Sequence, residues 1–573
     1  MLAVAGIGQA CKKSPLDITP DGRMSIEDIF NVPERTEAYL NSVYASVPDY
    51  FYSYIEYAML ASISDECSDS QVGNQPANIA AQWIIGALTP SFNPLTNPNY
   101  GKNADRYPAF WAGIRNANVF LQHIDNAAVL SESYRSRMRA EAKMLRAFYY
   151  LELIKQYGPM PIVEEPFSNT FDYTSLARPT FQDCVDFIVR ECDEVVANAD
   201  LPIRLVTESE RGRFSKAVAY AIKSQATLYN ASPLWNPNND VAKWEAAARQ
   251  SKQALETLTA GMQYSLATNY ENYFISYSDL TSSPLDRETI FEVTKRQESL
   301  LSYVNSIPSK PTYKAGSCPT QELVDSYDMQ ATGEPAILGY ADEDHLQPII
   351  NPTSGYDEQN PYVGRDPRFY ATVWYNGALY DNIGGTIHAV QTFIGGTDQL
   401  IKTPPNMQNT HTGYYLRKFI DPRIQTGQIP NLGWKKFRLG ELYLNYAEAE
   451  NEASGPTPEV YDAINTIRRR VSMPDLPAGM TKEEMRDRIR RERRVELAIE
   501  EHRLWDVRRW KVLDQTDKLV TGMEIIRNGS DFTYTRFVTE ERNAWQDRYL
   551  LFPIPIGEAA IIPDFDQNQN PGW

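Results

Sequence analysis

Amphipathic segments that arrive two at a time, each long enough for a full helix, constrain this chain most. FWAGIRNANVFLQHID (110–125) is followed by SYRSRMRAEAKMLRAFYYLELIKQYG (133–158), and FQDCVDFIVRECDEVVANA (181–199) by FSKAVAYAIKSQATLYNAS (214–232). AKWEAAARQSKQALET (242–257) opens a third unit whose alanine-rich face is like the second half of a tetratricopeptide repeat. ELYLNYAEAENEA (441–453) and PEVYDAINTIRRRV (458–471) make a last pair. An apolar stripe at helical spacing has to be covered by a neighbour, so short connections imply antiparallel helix pairs. Gly158 can cap its helix, and Pro159 and Pro161 forbid continuation. No regular repeat period runs through the set. The expected fold is mostly α: about four degenerate tetratricopeptide-like pairs, over 108–260 and 437–472, packed with a loop-rich segment.

The loops concentrate in two places. Residues 62–107 are rich in Asn, Ser, Pro and Gly, and between 262 and 435 helical periodicity fades. Long aperiodic stretches in a compact protein are often functional. Within the second stretch, DPRFYATVWYNGALYDN (366–382) predicts a β-hairpin turning at Asn376-Gly377. Strand alternation puts Phe369, Ala371, Val373 and Tyr375 on its buried face, leaving Trp374 exposed. HTGYYLRKFI (411–420) reads as a further short strand, and ERTEAYLNSVYASV as an early helix.

RRERRVELAIEEHRLWDVRRW (490–510) looks at first like a nucleic-acid patch. The net charge of −18 argues against that. Arg493 and Glu496, Glu500 and Arg503, and Asp506 with Arg503 and Arg509 stand three apart, which predicts ion-pair ladders bracing a helix. Thr481 with Glu484 is a capping box and Met480 with Met485 a hydrophobic staple, so that helix begins at 481. Trp505, Val507 and Trp510 give its end an apolar wedge. The stretch reads as scaffold.

Signatures of catalysis are missing: no GxxxxGK[ST], GxGxxG after a strand, GxSxG or HExxH is present. The five histidines form no close ligand pair, and His123 reads as half-buried on its helix. Two carboxylates suffice for a glycosidase, so 74 acidic residues leave a hydrolase open on composition alone. Asp342, Glu343 and Asp344 read as a solvated acidic turn rather than a calcium loop. Cys67, Cys184, Cys192 and Cys318 have no metal spacing and read as buried thiols. Cys11 differs: MLAVAGIGQACKKSPLD carries small and apolar residues up to a cysteine and then turns polar, like the tail of a lipoprotein signal peptide.

Several stretches together resemble one family. They are RRERRVELAIEEHRLWDVRRW, FRLGELYLNYAEAENEA, PTQELVDSYDM followed by RDPRFYATVWYNG, and the closing LFPIPIGEAAIIPDFDQNQNPGW. In this order they are similar to the SusD/RagB family, the surface nutrient-binding lipoproteins of Bacteroidetes. The resemblance runs from about residue 15 to the end. It implies a signal tail (1–11) ending at a lipidated Cys11, a tether (12–25) and one globular SusD-like domain (26–573) on the extracellular face of the outer membrane. It implies non-catalytic capture of oligosaccharides and their delivery to a partner TonB-dependent outer-membrane transporter; no cofactor is expected, and a structural calcium ion has no support in the sequence. RagB-like relatives leave peptides as the alternative ligand.

Sugar rings offer C–H bonds on one face and hydroxyls around the rim, suiting an aromatic platform edged with polar groups. By region, the family's site then points to Trp83, Asn99 and Tyr100 before the first helix pair, and to Tyr303 and Trp374 after the third unit. Asp65 and Gln71 are the expected polar partners.

Overall fold

The computed structural model describes residues 24–51, 58–72, 78–96, 106–276, 286–294, 304–310, 314–381, 387–402, 407–421, 423 and 432–573. Its main helices are α1 (Pro33–Tyr44), α2 (Tyr107–His123), α3 (Glu132–Tyr157), α4 (Phe181–Ala197), α5 (Lys216–Ala231), α6 (Val241–Thr259), α7 (Leu439–Ser454), α8 (Pro458–Arg470), α9 (Lys482–Glu496) and α10 (Arg503–Arg509). From α2 to α6 each packs on the next. The unit opened by α6 finds its partner only in α7, beyond the whole loop-rich stretch, and α8 and α9 cover α7 in turn.

Local chemistry sets the helix ends. Ser131 accepts from the Tyr134 amide ahead of α3, which ends where Gly158 takes φ 75°. Thr180 with Asp183 and Thr481 with Glu484 form reciprocal capping boxes ahead of α4 and α9. Packing does the rest. Helix α5 is buried from Ala217 to Ala231, and its alanines let neighbours approach closely. The Ser224 hydroxyl lies 2.8 Å from that of Ser251 and receives the Asn445 amide at 3.0 Å, tying α5 to α6 and α7. Cys67, Cys184, Cys192 and Cys318 are buried and unbridged.

The strands are β1 (Cys67–Asp69), β2 (Thr289–Val293), β3 (Ser317–Pro319), β4 (Ile337–Tyr340), β5 (Pro348–Ile350), β6 (Val373–Trp374), β7 (Leu379–Asp381), β8 (Ile387–Ala389), β9 (Tyr415–Leu416), β10 (Trp434–Arg438), β11 (Leu519–Asn528) and β12 (Asp531–Glu541). Among the described residues they pair two at a time, all antiparallel: β1 with β3, β2 with β10, β4 with β5, β6 with β9, β7 with β8, and β11 with β12.

The expected hairpin at 366–382 is not formed. Asp366 and Pro367 are an N-cap and first helical residue, so Pro367–Thr372 is a short helix. The chain does turn at Asn376-Gly377, with the Ala378 amide on Tyr375 O at 3.0 Å. Its two arms then pair elsewhere, β6 with β9 and β7 with β8. A two-residue hairpin turn does join β11 to β12, where Asn528 pairs with Asp531 and Gly529-Ser530 form the loop, Gly529 taking φ 67°.

The charged stretch also differs from its reading. It is two helices, broken between Glu496 and Arg503, and its charges reach across the interior. Glu496, fully buried, takes Arg438 at 2.6 Å, Arg368 at 2.9 Å and Arg470. Arg438 also meets Glu288 and Glu500, each at 2.7 Å, and Arg368 meets Asp366 at 2.7 Å and Glu492 at 2.6 Å. Of the expected ladder, Asp506–Arg509 is present at 2.9 Å. Burial pushes the Glu496 carboxyl up, but Arg470, Arg438 and Arg368 outweigh it and hold the group well below the carboxylate range. Removing one partner from such a set leaves a buried charge uncompensated. Glu496→Gln is therefore expected to lower stability by about 3–5 kcal/mol in chemical denaturation, whereas substituting the exposed Glu245 should change it little.

Candidate functional site

The two loop-rich segments, far apart in sequence, are joined by β1 and β3, with Ser68 opposite Cys318. The joint is extended by Ser70 N on Gly316 O at 2.9 Å and Thr320 N on Glu66 O at 3.0 Å. Gly316 has φ +66°, and a Cβ there would stand 2.0 Å from Val304 O, so no other residue fits. Hairpin β11–β12 forms a third wall, since the Ser68 hydroxyl donates to Glu540.

A cavity of about 270 Å³ opens at this junction between Ser68, Val72, Lys402, His411, Phe537 and Glu540. Lys402 Nζ lies 4.1 Å from the centre of the Phe537 ring and pairs with Glu524 at 2.6 Å. The lining thus offers a ring, a cation, a hydroxyl and a carboxylate. Sequence reasoning did not single out Lys402, His411 or Phe537. The signal for Phe537 was the strand alternation on either side of Asn528-Gly529.

The sequence-predicted residues divide into two groups. Asn99, Tyr100 and Tyr303 lie outside the described residues, as does Cys11. Asp65, Gln71, Trp83 and Trp374 are in the interior, not on a stacking surface. Trp83, 2% exposed, packs edge-on against Phe552 and Tyr549. Trp374, 3% exposed, is covered by Tyr380 and by the Arg417 guanidinium at 4.3 Å. The strand alternation that exposed it assumed a two-faced hairpin; β6 instead sits in a satellite core with Ile307, Val390 and Tyr415. Gln71 is buried, its Nε2 without a partner.

Asp65 clamps rather than binds. Both its oxygens take Arg503 at 2.8 Å, and Arg494 adds a contact at 3.0 Å. Burial raises this carboxyl, yet the two arginines prevail and hold it at about 2. Next to it, Glu66 accepts the Ile499 amide at 3.0 Å and so fixes the break between α9 and α10. Ile499 has φ 62°, costly for a β-branched residue. Burial pushes Glu66 up to about 7 against the pull of that amide, and Asp69 up to about 6 against Gln71 and Asn78.

The acidic turn 342–344 is closed by backbone: Asp342 accepts from the amides of Leu346 and Gln347. No group of three His, Cys, Asp or Glu poised for a metal occurs among the described residues.

Comparison with known proteins decides the family. The SusD family profile matches residues 262–573, and a second, described as starch-binding associating with outer membrane, matches 16–228. The chain belongs to the SusD family. Members of this family are non-catalytic, glycan-binding proteins that associate with the outer membrane. The chain is 23% identical to the starch-binding protein SusD of Bacteroides thetaiotaomicron over 500 residues, 83% of this chain and 80% of that one. It is 22% identical to SusD-like protein P38 of Formosa agariphila, covering 99% and 97%. A SusD-like structure from Bacteroides fragilis superposes with a TM-score of 0.76 at 25% identity, covering 96% of this chain and 99% of that one. A laminarin-binding SusD-like protein superposes with a TM-score of 0.61 at 21% identity, over 95% and 100%. The fold of the SusD family is thus present nearly end to end.

Two expectations follow from this geometry. In the unfolded chain Glu66 titrates near 4.5 and in the folded one at about 7, so the folded state holds the extra proton between these values. Stability from this group is therefore full below pH 4.5 and lost as pH rises through 7. Glu66→Gln should match the parent at pH 4.5 and exceed it above pH 7 in urea denaturation, by on the order of 3 kcal/mol. Trp83→Ala, which empties a core site, should instead cost about 3–5 kcal/mol at any pH.

Proposed function

We propose that this protein captures oligosaccharides at the β1–β3 junction and passes them, uncut, to a TonB-dependent transporter. In this reading Cys11 carries a lipid that holds the chain to the extracellular face of the outer membrane, residues 12–25 are the tether, and residues 26–573 act as one body. The observation that carries it is the joining of the two loop-rich segments. One leads to Asn99 and Tyr100, the other to Tyr303, and the buried Asp65, Gln71, Trp83 and Trp374 belong to the frame beneath. An exposed ring takes the C–H face of a sugar while amide and carboxylate groups take its rim hydroxyls. Stacking of this kind needs no deep pocket, consistent with the modest 270 Å³ cavity at the junction.

Starch and laminarin, named for two of the relatives, are the first ligands to try. Affinity electrophoresis and calorimetry on a panel of neutral polysaccharides headed by these two should show retention. Tyr100→Ala with Tyr303→Ala should weaken it by about fivefold to 150-fold, in line with about 0.5–1.5 kcal/mol for each aromatic contact. No reducing ends should appear on incubation. Retention of peptides with no carbohydrate held would establish the RagB-like alternative instead.

A further inference from the structure

A second cavity, of about 780 Å³, lies apart from the junction. It is bounded by α2, the loop around residues 161–176, and the short C-terminal helices Ile556–Ala559 and Pro563–Gln567. Its size falls in the range of small-molecule sites, about 300–1,000 Å³.

The lining pairs ring faces with unengaged polar groups. Phe167 stacks on Phe171 at 4.1 Å and Tyr173 closes edge-on against both, at 5.3 and 5.2 Å, giving one rigid aromatic cluster. Phe167 and Tyr173 nonetheless remain 37% and 41% exposed. Opposite them, Trp111 is held by Tyr107 and Tyr150. Burial raises the Glu558 carboxyl, and among the described residues no cation pairs with it. Arg115 and Glu165, which also line the cavity, are exposed and form no ion pair among the described residues. Glu558 is thus a half-buried carboxyl without a charge partner among the described residues, set beside partly exposed rings.

A purely apolar occupant would strip water from Glu558 and Arg115 and give nothing in return. An anionic one would meet both Glu165 and Glu558. A neutral, hydroxyl-rich ligand with apolar ring faces satisfies the rings, the carboxylates and the guanidinium together. We infer that this groove is a second glycan-binding site, taking a short neutral stretch of the same polymer held at the junction. The inference rests on the glycan-capture reading and extends it. Two sites on one chain raise the retention of a long polymer through effective concentration, whereas a short oligosaccharide gains nothing from the pairing.

The test compares the parent, the groove variant Phe167→Ala/Tyr173→Ala, Glu558→Ala, and the junction variant Tyr100→Ala/Tyr303→Ala. Each is run on starch and laminarin gels and in calorimetry with maltoheptaose and laminarihexaose. The substituted groove side chains are partly exposed, and thermal unfolding checks that each variant is folded. For the retained glycan, the parent should bind two oligosaccharides, and either groove variant one. Affinity for the polymer should fall at least about tenfold in the groove variants. A stoichiometry of one in the parent, or polymer retention that both groove variants leave unchanged, overturns this inference alone. No retention of any polysaccharide by the parent overturns the proposed function as well. Groove variants that keep both binding events but lose copurification with a membrane protein would make the groove a protein-docking face, which also overturns it.

Discussion

Everything in this molecule is hung on guanidinium–carboxylate contacts made out of reach of water. Glu496 on α9 is shared by arginines from β10, α8 and the helix at Pro367–Thr372, and Arg438 carries the network on to Glu288 and Glu500. Charged hydrogen bonds of this kind are strong when complete and expensive when one member is missing. The network therefore ties Glu288 and Arg368, from the loop-rich stretch, to the helical frame. Asp65 extends the same logic to the first loop-rich segment through Arg503 and Arg494. The roots of both loop-rich segments are thereby fixed by ion pairs that cannot slip without stranding a charge.

The helical half of the fold was readable because its signals are local. Capping boxes at Thr180 and Thr481, the glycine at 158, and apolar stripes at helical spacing each act within a few residues. The partner of α6 was not readable, because α7 follows after nearly two hundred residues of other structure and only tertiary packing unites them. The arginine-rich stretch misled for the same reason. Three-residue spacing suggests ladders on one helix, but Arg503 looks to Asp65 and Arg493 to Asp506 across a break. Asn-Gly occurs twice, at 376–377 and 528–529; the first joins no paired strands, and at the second Asn528 still belongs to β11 while Gly529-Ser530 make the turn. Asp366-Pro367, a helix start, was the clue against a hairpin at the first.

The candidate site shows a sharper division. The two aperiodic stretches rich in Asn, Ser and Pro were legible as segments, and they meet at β1 and β3. Which of their aromatics would be exposed was not, because tryptophan serves core and surface equally well. Trp83 and Trp374 are both surrounded by other rings and by guanidinium groups. Two of the ring-bearing positions in those segments became frame.

Hydrogen exchange with and without a retained polysaccharide reads both halves of this account at once. Amides of α7 and α9 should exchange slowly and identically in the two states, because the ion-paired frame does not respond to ligand. Residues 97–105 and 295–303 should gain protection on binding, while the glycan is recovered at its original length. Unchanged exchange in both of those stretches, with protection appearing in α7 or α9 instead, would contradict the idea of a fixed frame presenting a glycan-binding rim.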